Sequence, residues 1–219
     1  MGRRKNARQN GMRARIASAA ARIMAEDGVD DFALAKRKAA RVLGAPDTEA
    51  LPGNDEIEAE LRDYLALYQS EEHPERIAEL RQLALEAMQM LERFSPYLTG
   101  AVLAGIAGPY AQIDLQLFPE STKEVEVFLI DRNLHYEASD EKRYTGDRAR
   151  AVAVIELDWQ GVPLRLSVFD PRDERSALKT TQAGRVSARA GIAEVRHLVD
   201  SAAGDSSIGP RDRRDARPA

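Results

Sequence analysis

The sequence of 219 residues contains no cysteine, few aromatic side chains and no long apolar run. The absence of cysteine excludes disulfide bonds, thiolate zinc sites, iron–sulfur clusters and a cysteine nucleophile. No apolar run approaches the roughly 20 residues that a membrane-spanning helix needs. The basic N-terminus is not followed by the apolar segment of a secretory signal. We therefore expect a cytoplasmic protein without a membrane partner.

The charge is small overall but unevenly distributed. The formal net charge is −4, although charged residues make up 31% of the chain. Residues 1–15 are basic without a single acid, whereas residues 45–95 are strongly acidic. This balance argues against a protein that attracts nucleic acid over its whole surface. A hydrophobic content of 43% is ample for the core of one ordinary domain, or of a small domain with an appendage.

Apolar residues recur at helical spacing before Pro96 and at strand spacing after it. Four helices are predicted first, with start and stop signals at Gly28, Asp30 or Asp31, Gly44, Asn54, Pro74 and about Phe94. Strands are predicted over 97–102, 112–118, 151–159 and 162–169, the last two forming a hairpin at Gln160-Gly161. Between them, Ser121 can cap a helix to about Arg132, although 125–130 also suits a strand. A short helix over 172–180 and a last helix capped by Ser187 complete the pattern.

The fold class predicted from this pattern is α+β, a mixed sheet flanked by helices and preceded by a helical segment. We assign residues 1–12 to a disordered basic N-terminus and 13–72 to the helical N-terminal segment. The sheet-containing domain covers 74–202, and a disordered tail covers 203–219, since the tail has almost nothing to bury.

The stretch from Tyr97 to Phe118 carries the strongest functional signal. Glycines at Gly100, Gly105 and Gly108 follow a predicted strand, and Asp114 lies on the next strand between apolar residues. A glycine turn lets the backbone approach a phosphate, and a carboxylate at the end of a strand can hold a divalent metal.

This stretch resembles the signature of the small, polymerase-β-like nucleotidyltransferases, without a gap from Gly100 to Leu115. The resemblance implies a nucleotidyltransferase-like fold that binds a nucleoside triphosphate at Gly100, Ala101 and Gly105. It also implies catalytic positions at Gln112 and Asp114 and a Mg²⁺ ion at Asp114. The nucleotidyl group would pass to an unknown acceptor.

The chain departs from the family where the chemistry takes place. Ala101 replaces the usual serine, and Gln112 replaces the first metal-binding aspartate. Arg165 or Ser167 stands where the third carboxylate is expected, with Glu156 and Asp158 as the nearest acids that can substitute. Mg²⁺ prefers charged oxygen ligands, so we expect a weakened or lost two-metal centre.

Several other interpretations remain open. The glycine run can serve only to pack a turn against a helix, and the same cleft can serve as a non-catalytic module for a nucleotide or protein partner. Residues 15–45 resemble the first two helices of TetR-type DNA-binding domains, so a nucleic-acid-binding regulator is a further alternative. The third helix of the chain is acidic, however, and phosphate repels it. His73, His135 and His197 lie far apart and do not suggest a metal site.

Overall fold

The computed structural model describes residues 2–29, 31–46, 50–69, 72–108, 110–145, 148–176, 178–179 and 188–206. Within these ranges the chain is α+β. The helices are α1 (Gly2–Asp27), α2 (Phe32–Val42), α3 (Asn54–Tyr68), α4 (Glu72–Met90), α5 (Gly100–Ala104), α6 (Thr122–Asp131) and α7 (Ile192–Ser206). The strands are β1 (Tyr97–Thr99), β2 (Ile113–Leu117), β3 (Tyr136–Thr145), β4 (Arg148–Trp159), β5 (Val162–Val168) and β6 (Leu178–Lys179). None of the described helices is both long and apolar enough to cross a membrane.

The strands form one mixed sheet in the order β1-β2-β5-β4-β3-β6. Among the described strands, β2 and β5 pair in parallel, and the other neighbouring pairs are antiparallel. The β4–β5 hairpin turns at Gln160 and Gly161, whose φ angles of 54° and 84° suit a two-residue turn. This sheet contains all four strands that the sequence predicts.

The two faces of the sheet differ in character because successive side chains alternate between them. Apolar side chains such as Leu115, Leu166 and Ile155 lie on one face, in a core to which α4, α6 and α7 also contribute. The other face carries Asp114, Arg165 and Glu156 side by side on β2, β5 and β4. An aromatic cluster at one end of this polar face includes Phe118 and Phe169, which stack with their centroids 5.7 Å apart.

The N-terminal helices form a second core of their own. Ile16, Ala39 and Ile57, from α1, α2 and α3, are fully buried in it. Asp31 caps α2 by accepting hydrogen bonds from the backbone of Ala33 and Leu34. Ile106, which follows α5, packs into the same core, so the helical segment lies against the glycine-rich loop.

Three sequence predictions need correction. Residues 2–12 lie in α1, and Met12 packs against the helical core, while the predicted disorder of this segment stays a prediction. The strand predicted over 97–102 ends at Thr99, where Gly100 turns the chain into α5. The strand option over 125–130 is wrong, since these residues lie in α6. The helix predicted over 172–180 is replaced by a 3-10 turn at Pro171–Asp173 and by β6, with Thr180 outside the described residues.

One strand was missed completely. The sequence analysis does not predict β3, because its residues lack apolar alternation.

Two helix boundaries differ slightly from those predicted. Gly53, rather than Asn54, is the N-cap of α3, and α4 ends at Met90 before a 3-10 turn at Glu92–Phe94. Ser187 and residues 207–219 lie outside the described residues, so their predicted roles remain predictions.

The β4–β5 hairpin is attached to α4 by two hydrogen bonds of unequal burial. The Trp159 indole Nε1 donates to the Leu83 carbonyl at 3.1 Å, and the exposed Gln160 Nε2 donates to Glu86 Oε2 at 3.0 Å. We predict that Trp159→Phe lowers the free energy of unfolding by about 1–2 kcal/mol, since it removes a part-buried hydrogen bond and some packing. Gln160→Ala should stay within about 0.5 kcal/mol of wild type. Urea unfolding followed by circular dichroism measures both, and equal effects would contradict the assigned burial.

An ion pair between α1 and α3 makes the helical segment sensitive to acid. Hydrogen bonds from Arg13 and from the Gly53 backbone lower the pKa of Glu56 from 4.5 to about 2. The stabilisation from this carboxylate is complete above about pH 4.5 and is lost as the pH falls towards 2. We predict that Glu56→Gln flattens the decline of unfolding free energy over this range. Asp63→Asn, a neutralisation on the same helix, should retain the wild-type decline.

Candidate functional site

The turn at Gly100 brings the backbone close to Asp114. Gly100 has φ +71°, a left-handed conformation that glycine adopts without strain. A Cβ atom at this position would lie 2.6 Å from Asp114 Oδ2. Close approach of backbone and carboxylate therefore requires glycine here.

The short helix α5 follows the turn, and a half-buried arginine binds the carbonyl groups at its end. Arg81 on α4 donates to the carbonyls of Val102 at 3.2 Å and Leu103 at 3.0 Å, near the C-terminus of α5. Burial lowers the pKa of Arg81. Gly105, with φ +70°, ends α5 against this arginine. Gly105 is therefore used to terminate the helix, at the opposite end of α5 from Asp114.

Asp114 accepts hydrogen bonds from the neighbouring strand β1 and from a residue just before it in the chain. The Thr99 hydroxyl on β1 donates to the Asp114 carbonyl at 3.3 Å. Gln112 Nε2 donates to Asp114 Oδ1 at 3.0 Å. Gln112 therefore acts as a hydrogen-bond donor to the carboxylate, rather than as a second charged ligand beside it.

Arg165 is the direct neighbour of Asp114 on the parallel strand β5. Its guanidinium forms an ion pair with Glu141 and lies with Nε 3.5 Å from Glu156 Oε1. The Arg165 side chain is only 21% exposed. Of the two residues considered for the third carboxylate position, Arg165 thus stands beside Asp114, while Ser167 pairs with Gln116.

The ion pair between Arg165 and Glu141 shows that the β3–β4 hairpin coils over the polar face. Glu141 pairs with Val152 on β4, whereas Arg165 pairs with Glu156 further along the same strand. In a flat sheet these positions would be too far apart for the two side chains to meet. Strand twist and coiling bring the distant part of the hairpin back towards β2 and β5.

The same coiling brings a second arginine to the site. Arg143 Nη2 lies 2.6 Å from Glu141 Oε2, and the Arg143 side chain is 18% exposed. Burial lowers the pKa of Arg143, and the nearby Asp114 carboxylate acts in the opposite direction.

The result is a network of alternating charge on the polar face. Three carboxylates, from Asp114, Glu141 and Glu156, surround two guanidinium groups, from Arg143 and Arg165. No group of three or more histidine and acidic side chains among the described residues has an arrangement that could hold a metal ion. Glu141 and Glu156 instead contact guanidinium groups that the chain itself supplies.

The other predicted positions are distributed as follows. Ala101 packs against both apolar cores, at the junction of α5 with the helical segment. Asp158 accepts a hydrogen bond from the Gly161 backbone within the hairpin turn, whereas Glu156 faces Arg165. Gly100, Gln112 and Asp114 thus lie together, and Glu156 is connected to Asp114 only through Arg165, which stands between them. Ala101, Gly105 and Asp158 have structural contacts elsewhere.

Sequence reasoning missed Glu141 and Arg143. Both lie on β3, whose two faces are largely polar, so the apolar alternation that marks a strand is absent. A faint signal was present in the β-prone Tyr144 and Thr145 followed by Gly-Asp, which is typical of a hairpin turn.

The basic side chains of α1 and α2 are partly neutralised. Arg13 pairs with Glu56 at 2.5 Å, Arg22 with Glu26 at 3.0 Å and Lys38 with Asp27 at 4.0 Å. The helix that follows, α3, begins with two acids in its first turn. These contacts weaken the case for a phosphate-binding surface on the helical segment.

Comparison of the chain with protein-family models, with curated proteins and with solved structures found no match.

Substitution of Gly100 tests the close approach of the turn to Asp114. We predict that Gly100→Ala lowers the free energy of unfolding by about 1–3 kcal/mol. Alanine is strained at this left-handed φ, and its methyl group would lie too close to the Asp114 carboxylate. Gly11→Ala is the matched control, since Gly11 lies inside α1 with nothing within 4 Å of the added carbon. The control should raise stability by about 0.5–1 kcal/mol. Chemical denaturation measures both, and a neutral Gly100→Ala would contradict the geometry.

Proposed function

We propose that this chain is a nucleotidyltransferase-like protein whose two-metal transfer centre has been replaced by an internal ion-pair network. It acts in this proposal as a non-catalytic module for a nucleotide or a protein partner. The observation that carries the proposal is the position of Arg165, directly beside Asp114 and paired with Glu141 and Glu156.

The order of elements supports the nucleotidyltransferase likeness. A strand leads through a glycine turn and a short helix to a second, antiparallel strand that carries Asp114. A third strand, β5, lies parallel to that one and presents Arg165 at the matching position. This is where the resemblance places the triphosphate-binding turn and two of the metal-binding positions.

The charge arrangement explains why ordinary two-metal transfer should be weak. Two-metal catalysis needs carboxylates whose charge is free to bind divalent ions that activate the attacking oxygen and the leaving phosphate. Here Gln112 brings no charge and the Arg165 guanidinium contacts two of the nearby acids. A Mg²⁺ ion at Asp114 would have to displace or tolerate this cation, and repulsion between the two opposes binding.

Reversal of the two departures from the family pattern tests this explanation. We predict that the double variant Gln112→Asp/Arg165→Asp binds Mg²⁺ at least tenfold more tightly than wild type, since it removes a cation and adds two carboxylates. The wild type should show little or no nucleotidyl transfer from a radiolabelled nucleoside triphosphate. Isothermal titration with Mg²⁺ and a non-hydrolysable triphosphate measures the affinity.

A control with the same change of charge is available far from the network. Gln160→Asp/Arg196→Asp alters an exposed turn and the exposed face of α7, and it should leave Mg²⁺ affinity unchanged. Equal affinities for the site double variant and the wild type would mean that these positions do not form one site. Strong transfer by the wild type that Glu156→Ala abolishes would contradict the proposed loss of catalysis and would assign the missing carboxylate to β4.

A further inference from the structure

Helix α1 carries a line of arginines on one side. We call these residues, Arg4, Arg8, Arg15 and Arg22, the α1 stripe. At 3.6 residues per turn their four positions fall within an arc of about 40°, and at 1.5 Å per residue the line is about 27 Å long. Arg15 and Arg22 are exposed, so this side of α1 faces solvent.

The α1 stripe lies opposite the buried side of the helix. Ala17, Ala20 and Met24 are buried in the helical core, and their positions are rotated by about 120° or more from the stripe. Arg13 is on this buried side, where it pairs with Glu56 of α3. The ion pair of Arg13 therefore does not neutralise the stripe.

The α1 stripe lies in a strongly basic part of the chain. Residues 2–42 contain eleven basic and four acidic residues, so their formal charge is +7, whereas the whole chain has a net charge of −4. The first acid of the helix with a described side chain is Glu26, which pairs with Arg22 at the end of the stripe. A surface with this density of positive charge attracts a polyanion.

Two classes of anionic partner fit α1 poorly. A helix that binds a membrane surface inserts an apolar face, but the large apolar side chains of α1 pack against the helical core. Residues 2–11 add no large apolar side chain. Protein interfaces depend on aromatic and apolar anchors, and the sequence of α1 contains no aromatic residue.

The phosphate backbone of a nucleic acid needs no apolar contact. The planar guanidinium group of arginine matches two oxygens of a phosphate, which makes arginine well suited to this ligand. A duplex presents about one phosphate per 3.4 Å along each strand. A line of arginines about 27 Å long can therefore meet several phosphates at once.

We propose that the α1 stripe binds the phosphate backbone of a nucleic-acid duplex without sequence specificity. Contacts to phosphate carry no information about the bases, so DNA and RNA duplexes of any sequence form the class of partner. This surface is separate from the polar face of the sheet. The proposed nucleotide or protein site can therefore fail without this one, and the reverse.

Fluorescence anisotropy of the full chain with a labelled DNA duplex of about 20 base pairs tests the proposal. Binding should saturate, and the logarithm of the affinity should fall with the logarithm of the salt concentration with a slope of about −3 to −4, as three or four phosphate contacts require. A duplex of unrelated sequence and an RNA duplex should bind within about threefold of the first.

A variant without three arginines of the stripe should bind weakly. Arg4→Ala/Arg8→Ala/Arg15→Ala keeps good helix formers in α1 and should lower the affinity at least about tenfold, with a salt slope of about −1. The control Arg62→Ala/Arg175→Ala/Arg196→Ala removes three exposed cations elsewhere, with the same change of net charge. It should keep the wild-type affinity and slope, and circular dichroism checks that each variant remains folded.

Four results would overturn the proposal. The first is no binding of either duplex by the wild type. The second is an equal loss in the stripe variant and the control, which would mean that net charge alone attracts the duplex. Equally tight binding to polyglutamate would assign the stripe to acidic proteins. Tight binding to phosphatidylserine vesicles without binding to a duplex would assign it to a lipid surface.

Discussion

The ion pair between Arg165 and Glu141 is the interaction on which the rest of the polar face depends. It joins two strands of the sheet that are not neighbours, since β4 lies between them. The pair forms only when the β3–β4 hairpin coils over the face, and the coil in turn places Arg143 near Asp114. Loss of Arg165 would leave Glu141 paired with Arg143 alone and Glu156 without this ion pair, so repulsion among the nearby carboxylates would increase.

This arrangement links the fold to a specific chemical consequence. A site that holds divalent metals keeps its carboxylates apart from basic side chains, so that the metal is the main local cation. On this chain the acids of the polar face already contact guanidinium groups, and Gln112 donates a hydrogen bond to Asp114. The chain has the glycine turn beside a carboxylate that the nucleotidyltransferase pattern implies, but the charges around this carboxylate differ from that pattern. That combination is the basis for the proposal of a nucleotidyltransferase-like module without ordinary transfer.

The glycine turn also connects the two cores of the molecule. Gly100 lies against Asp114 at the polar face, and Ile106, only a few residues later, is buried among the N-terminal helices. Arg81 of α4 holds the segment between them through two carbonyl oxygens. The helical segment is therefore packed directly against the loop that shapes the candidate site, and changes at either place are physically coupled through this loop.

The sequence by itself determined the elements whose signals are local. The cap at Asp31 and the hairpin at Gln160-Gly161 could be read from it, because each depends on a few adjacent residues. The strand predicted over 97–102 instead ends at Thr99, before the turn at Gly100. The family resemblance also groups Gly100, Gln112 and Asp114, which lie close together in the structure, and their role as a site stays a prediction. Sequence reasoning missed β3, whose polar faces carry no apolar alternation, and therefore missed Glu141 and Arg143. Only the tertiary structure decided that these side chains meet Arg165 and Asp114, because that contact depends on strand register and on the coiling of a long hairpin, which no local pattern encodes.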